Sequence, residues 1–186
     1  MEDGVKSAAS RETWVTIGRK VLARSGIDSV KVEPLARALG VTKGSFYWHF
    51  EDRAALLEAM LEAWEQVGTL ALIAAAEASG ASPAEQLRSI AARAFGADGS
   101  EERALRAWGA HDERAGDVVA RVDRRRLSFI GERMRAHGLS AEAAEARARL
   151  IYAAYVGEQQ LGVKLPPRRR VALAMAAIDV LLGATS

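Results

Sequence analysis

Apolar residues recur three or four positions apart along almost the whole chain, which is the spacing of one face of an α-helix. The first such stripe predicts a helix over residues 10–25, with Ser10 as its N-cap and Gly26 as its stop. The same pattern continues to the C-terminus, gives about nine helices and leaves no credible strand. The sequence therefore predicts an all-α fold.

Two of the predicted helices are short and are separated by a three-residue turn that starts at Gly40. Gly40 suits the left-handed end of the first short helix, and Thr42 is placed to cap the second. Phe46 and Phe50 share one face of the second helix and can pack against leucines of the first. Two short helices, a tight turn and a shared apolar seam predict a helix-turn-helix within residues 29–50.

The outer side of the second short helix has the chemistry of a DNA-binding surface. Because Phe46 and Phe50 fill the inward face, Tyr47 and Trp48 are expected to point outward instead of joining the core. Hydroxyl, lysine, histidine and ring donors, together with the helix N-terminus, suit phosphates. Gly44 removes bulk where the backbone would approach the duplex. We therefore predict that this helix lies in the major groove of double-stranded DNA.

The segment Leu35-Ala-Arg-Ala-Leu-Gly-Val-Thr-Lys-Gly-Ser-Phe-Tyr-Trp-His-Phe50 resembles the helix-turn-helix of TetR-type (tetracycline-repressor-type) transcriptional regulators. The nine-helix plan matches that family along essentially the whole chain, although only the N-terminal segment carries a specific motif. The resemblance implies a DNA-binding domain over residues 1–53 and an effector-binding and dimerisation domain over residues 54–186. The positions that match DNA contacts are Lys31, Thr42, Lys43, Gly44, Ser45, Tyr47, Trp48, His49 and Arg53.

Two positions depart from the family pattern. Lys31 stands where a threonine cap is usual, and it can serve as a phosphate contact instead. Glu33 stands where a basic residue is common, which weakens that edge of the predicted DNA footprint.

The last two predicted helices carry wide apolar stripes, are rich in alanine and are joined by a short turn. Composition alone fits equally well a hairpin packed on its own core and a four-helix bundle formed with a second copy. The resemblance favours the homodimer. The predicted interface consists of Ala144, Ala148, Ile151, Tyr155, Val171, Ala174, Met175, Ile178, Leu181 and Leu182.

The middle helices contain large aromatic side chains that can line a cavity or form ordinary core. The resemblance implies a pocket for a small-molecule effector whose identity the sequence does not give. The long fourth helix joins the predicted DNA-binding domain, residues 1–53, which we call the head, to the effector-binding domain. We expect this helix to transmit a change in the pocket to the DNA-binding surface. The predicted lining consists of Trp64, Phe95, Trp108, His111, Phe129, Tyr152 and Tyr155.

Composition narrows the class of protein, whereas net charge adds little. The 186 residues include no cysteine and three histidines, which excludes disulfide scaffolds, thiolate zinc sites and cysteine nucleophiles, and no cofactor or metal is expected. Residues 1–53 hold nine basic and seven acidic side chains, a net charge of +2 that does not by itself indicate DNA binding. The run Arg124 to Arg126 is expected to be solvated. No apolar leader or membrane-length stretch is present, so we expect a cytoplasmic protein without membrane contact.

The sequence therefore predicts a ligand-responsive transcriptional regulator that is not an enzyme. We expect a repressor that binds a palindromic operator as a dimer and is released by a small molecule. Two alternatives stay open: an enzyme built on a helical bundle, and an adaptor that has lost DNA binding. Against the enzyme, no nucleophile–base pair, phosphate-binding loop or metal-ligand spacing is visible.

Overall fold

The computed structural model describes residues 9–163 and 165–183, and nine helices with no strand occupy this part of the chain. The predicted all-α fold is confirmed. One helix, α4, is continuous from Arg53–Glu65 through a π-helical turn, Gln66–Leu70, into Ala71–Ala78. The other helices are α1 Arg11–Ser25, α2 Val32–Leu39, α3 Lys43–Tyr47, α5 Pro83–Gly96, α6 Ser100–Gly109, α7 Glu113–Ala136, α8 Ala141–Gln160 and α9 Pro167–Leu182.

The helices begin and end where local sequence signals predict. The Ser10 hydroxyl accepts a hydrogen bond from the Thr13 amide at 3.2 Å and so caps α1. A capping box starts α5, because the Ser82 amide donates to the Glu85 carboxylate at 2.9 Å. Gly40 ends α2 with a φ of 68°, a left-handed conformation that side chains with a Cβ rarely adopt.

The first hydrophobic core lies around the N-terminal helices and reaches into the rest of the molecule. Trp14 and Leu22 of α1 are fully buried there, and α1 packs against both α4 and α6. Leu105 and Trp108 of α6 belong to the same core. The head therefore packs on the rest of the protein, which we call the body, through the contact of α1 with α6. This contact adds to the connection through α4.

The second core lies among α4, α5, α7, α8 and α9, with α9 packed mainly on α5 and α8 packed on α7. Six residues predicted for the dimer interface are buried in it: Ala144, Ala148, Ile151, Ala174, Ile178 and Leu182. These side chains have little surface left to offer to a second copy, and the interface at these positions stays a prediction. The other four, Tyr155, Val171, Met175 and Leu181, are partly buried against the same core.

No helix in residues 9–163 or 165–183 is both long enough and apolar enough to cross a membrane.

Candidate DNA-binding surface and central cavity

Phe46 organises the head, because it lies at the centre of three ring contacts. Its ring meets the edge of Trp14 at 5.2 Å and stacks on Phe50 at 5.3 Å between centroids. These rings fill the inward side of α3, and Phe46 itself is fully buried. Tyr47 and Trp48 are 54% and 88% exposed, so the predicted outward orientation of both rings is confirmed.

The remaining predicted contact residues surround these two rings. Lys31, Thr42, Lys43 and Gly44 are exposed, whereas Ser45 and His49 are half-buried. The expectation that Thr42 caps α3 through its side chain is wrong, because its hydroxyl forms no capping hydrogen bond.

Lys43 is paired with an acidic neighbour on α2. Its Nζ lies 3.0 Å from Oε1 of Glu33, and both side chains are at least half exposed. The hydrogen bond lowers the pKa of Glu33 and raises the pKa of Lys43, which keeps both groups ionised near neutral pH. Glu33, at which the sequence departs from the family pattern, thus forms an ion pair with Lys43, which is one of the predicted phosphate contacts.

Arg53 has a structural contact that the sequence did not predict. Its Nε donates to the carbonyl of Val30 at 2.6 Å, and its Nη2 donates to the carbonyl of Ile27 at 2.8 Å. These bonds tie the first turn of α4 to the 3₁₀ turn between α1 and α2. The predicted phosphate contact at Arg53 therefore has to share the guanidinium with two backbone carbonyls.

Gly44 has no structural reason to be glycine. A Cβ added there meets only the Thr42 hydroxyl oxygen at 3.6 Å, which is an ordinary contact, and its φ is not positive. The absence of a side chain leaves open space on the outer surface of α3.

A cavity of about 440 Å³ lies in the body of the protein, which is within the usual size of a small-molecule site. Five predicted residues line it: Trp64, Phe95, Phe129, Tyr152 and Tyr155. The predictions of Trp108 and His111 as lining residues are wrong. Trp108 is buried in the first core, and His111 is exposed at the end of α6, so neither reaches the cavity.

Arg126 of α7 is the main polar residue in the cavity wall. Its Nε donates to the Thr69 hydroxyl at 2.9 Å, and its Nη2 donates to the Gly68 carbonyl at 3.2 Å. Its Nη1 donates to Oε1 of Glu102 at 3.0 Å. The guanidinium also lies over the rings of Trp64 and Tyr155, at 5.4 and 5.8 Å from their centroids. The expectation that Arg126 is solvated is therefore wrong.

A second arginine completes this network behind the cavity. Arg106 binds both carboxylate oxygens of Asp123, at 2.7 and 3.1 Å, and Oε1 of Glu102 at 2.8 Å. Burial opposes ionisation of Asp123, but hydrogen bonds from Arg106 and Tyr152 leave its pKa below the usual value. Two arginines and two carboxylates thus neutralise one another in the interior.

Both cavity tyrosines are held in the neutral form. Burial, followed by the charge of Glu102, raises the pKa of Tyr155 to about 12. Burial likewise raises the pKa of Tyr152, whose hydroxyl donates to Asp123 at 2.7 Å. Within the residues that the structure describes, no cluster of histidine, aspartate and glutamate side chains is arranged to hold a metal ion.

Residues 17–60, which include the whole helix-turn-helix, match the model of bacterial regulatory proteins of the tetR family. The N-terminal part of the chain is thus similar to regulators of the tetR family. The chain is 30% identical over 95 residues to the transcriptional regulator AcrR of Shigella flexneri, a match that covers 50% of the chain and 44% of that relative. It is 42% identical over 51 residues to the class A tetracycline repressor of Escherichia coli, covering 27% and 24%. The chain thus spans less than half the length of these curated relatives.

Solved structures agree with the fold over nearly the full length of the chain. A TetR-family transcriptional regulator from Streptomyces coelicolor superposes with a TM-score of 0.78 at 20% identity, and the match covers 95% of each chain. A transcriptional regulator from a Rhodococcus species gives 0.74 at 20% identity, with 94% of each chain covered. At this level of identity the likeness establishes the fold.

Proposed function

We propose that this protein is a ligand-responsive repressor that binds a palindromic operator in double-stranded DNA as a homodimer. A small molecule in the central cavity releases it from the operator. The observation that carries the proposal is the outward exposure of Tyr47 and Trp48 on a helix whose inward face is already filled by Phe46 and Phe50.

The outer surface of α3 supports contact with a DNA duplex. Two exposed aromatic rings next to Lys43 and an open backbone at Gly44 form a surface that is costly to leave in water without a partner. A DNA phosphate can replace Glu33 as the partner of Lys43. Phosphate contacts by such cations make DNA affinity fall with salt concentration.

Exposed apolar residues on the outer side of α8 and α9 support a dimer, and they are different residues from those that the sequence suggested. Leu150 is 62% exposed, Leu173 is 44% exposed and Val180 is 74% exposed, and exposed alanines lie between them. Leu173 and Val180 are seven residues apart and so lie on one side of α9. Twofold pairing of these outer faces forms a four-helix bundle and covers the stripe.

Dimerisation gives the two heads a fixed separation, which the operator must match. Two half-sites on one face of DNA lie about 34–36 Å apart. A ligand that favours another separation lowers DNA affinity, and DNA lowers ligand affinity by the same factor. We place the lever at α4, since it begins at the head and passes along the cavity wall.

The decisive experiment is selection of bound sequences from a random DNA pool, followed by affinity measurements on the selected site at several salt concentrations. We expect a palindrome, salt-dependent affinity, and a stoichiometry of at least one dimer per site. Lys43→Ala should weaken binding and flatten the salt dependence, whereas Lys20→Ala, on the exposed side of α1, should change neither as much. Failure to enrich any sequence, with no salt-dependent binding, would favour the adaptor alternative.

A further inference from the structure

The cavity wall is balanced in charge. It contains three cationic side chains, Arg19, Arg93 and Arg126, and three anionic ones, Asp98, Glu101 and Glu102. Most of the remaining lining side chains are aliphatic or aromatic. An ionised ligand would bring an uncompensated charge against this largely apolar wall, and desolvating such a charge is costly.

Two side chains in the wall, Thr69 and Arg126, carry hydrogen-bond donors that no described acceptor takes. The Tyr152 hydroxyl already donates to Asp123 and accepts from Arg106 at 3.0 Å. The Thr69 hydroxyl accepts from Arg126, and among the described residues no acceptor takes its own proton. The guanidinium of Arg126 has five N–H groups, and its contacts with Thr69, Glu102, Gly68 and, at 3.4 Å, the Tyr152 hydroxyl leave one of them unused. A ligand that lies against Arg126 and Thr69 therefore meets hydrogen-bond donors.

These observations lead to a specific ligand class. We propose that the cavity binds an uncharged, mainly apolar molecule that presents one carbonyl or hydroxyl oxygen to Arg126 and Thr69. The proposal rests on the proposed function only for its effect on DNA; the binding step stands by itself.

The same two residues connect the ligand to α4. Arg126 holds the Gly68 carbonyl and the Thr69 hydroxyl, and both belong to the π-helical turn Gln66–Leu70. Turns of this kind often mark functional sites within α-helices. A ligand oxygen that accepts from Arg126 and Thr69 binds the same two side chains that hold this turn, so occupation of the cavity changes the contacts of the turn.

Two matched pairs of fluorescent probes test the ligand class without DNA. N-phenyl-1-naphthylamine and 8-anilino-1-naphthalenesulfonate share a ring frame and differ in one sulfonate. We expect the neutral probe to bind at least about tenfold more tightly. 6-Propionyl-2-(dimethylamino)naphthalene carries a ketone where 6-propyl-2-(dimethylamino)naphthalene has a methylene group, and we expect the ketone to bind about fivefold more tightly. Equal or tighter binding of the sulfonate, or no advantage of the ketone, would overturn the proposal.

Variants test the placement of the oxygen. Arg126→Met and Thr69→Val each remove a donor at similar size, and each should reduce the ketone's advantage towards onefold. Arg124→Met, two residues away and exposed, should leave it unchanged. If circular dichroism shows that Arg126→Met does not fold, Thr69→Val decides. An unchanged ketone advantage in a folded donor variant would place the ligand oxygen elsewhere and overturn the assignment.

Hydrogen exchange of residues 66–70 tests the connection to α4. Ketone binding should change their exchange rate more than it changes that of residues 113–122 in α7. Equal effects would overturn the link to the π-turn. DNA affinity is measured separately: ligand binding that meets these expectations but leaves DNA affinity unchanged would refute the ligand-responsive repressor and leave the ligand class intact.

Discussion

Replacing Gly44 with alanine should stabilise the fold slightly while weakening DNA binding. In the folded chain the added methyl group meets only the Thr42 hydroxyl oxygen, at 3.6 Å, and no atom has to move. The backbone of α3 at this position has no positive φ, so alanine adopts it without strain. Any loss of function therefore has to come from a partner that approaches α3 from outside.

The two effects have opposite signs and measurable sizes. Alanine is favoured over glycine by about 1 kcal/mol in a helix interior, and we expect about half of that in the first turn of a helix as short as α3. For a chain of this length such a gain raises Tm by about 1–2 °C. On the DNA side, a methyl group in the gap between α3 and the duplex displaces the backbone. We expect about a tenfold loss of affinity, or about 1.4 kcal/mol.

The assay combines thermal unfolding, followed by circular dichroism, with fluorescence anisotropy on the selected operator. Gly96→Ala is the matched control, because its Cβ also makes an ordinary contact, at 3.5 Å from Val171 Cγ2, but lies far from α3. It should keep the affinity of the wild type. If Gly44→Ala also binds the operator normally, the backbone of α3 does not approach DNA at this position, and our orientation of the helix is refuted.

Three further changes test other parts of the molecule. Glu33→Gln should free Lys43 and raise DNA affinity about threefold with a steeper salt dependence; unchanged affinity would exclude Lys43 as a phosphate contact. The pair Leu173→Glu and Val180→Glu should convert the dimer to a monomer in sedimentation experiments. Because both side chains are exposed within one chain, each change should alter unfolding free energy by only about 0.5 kcal/mol, and a persisting dimer would place the interface elsewhere. Asp123 has a lowered pKa, so its stabilising effect is complete above its ordinary pKa of 3.8 and is lost as pH falls through the lowered value. Asp123→Asn should therefore unfold less steeply in acid titrations, and an identical acid transition would contradict this.

Features that depend on neighbouring residues could be predicted from the sequence. Helix ends rely on local signals such as Ser10 and Gly40, and these signals hold in the structure. The outward orientation of Trp48 follows from the spacing of Phe46 and Phe50, since these two rings already occupy the inward face of the short helix.

Features that depend on helix phase were harder to predict. Arg126 looks like one member of a solvated run, yet it lies four residues after Val122 and three before Phe129, on the buried stripe of α7. This spacing is the feature of the sequence from which the burial of Arg126 could have been predicted. Within α9, Ile178 and Val180 are both apolar, and only the packing against α5 determines that Ile178 faces inward. The π-helical turn had no signal in the apolar pattern, because the following segment Ala71–Ala78 is almost continuously apolar and a shift of helical phase cannot be seen in it.

The contacts of α4 explain why a change at the cavity would reach the head in the proposed mechanism. At its start, Arg53 is bonded to carbonyls between α1 and α2, and Leu56 and Met60 are buried in the head's core. The segment Arg53–Glu65 is about 20 Å long at 1.5 Å per residue, and in the proposed mechanism it moves with the head. The π-helical turn follows directly at Gln66, so a change in its contacts alters the direction of this segment relative to the cavity.

In the proposed mechanism, a small rotation of this segment has a large effect because each head of the dimer binds DNA weakly on its own. With a net charge of +2 over residues 1–53, one head makes few phosphate contacts, and strong binding requires both heads at once. Moving the two heads out of register removes the contribution of one of them, although neither recognition surface changes. DNA release in this mechanism therefore requires no unfolding of α3 and no direct contact between ligand and DNA.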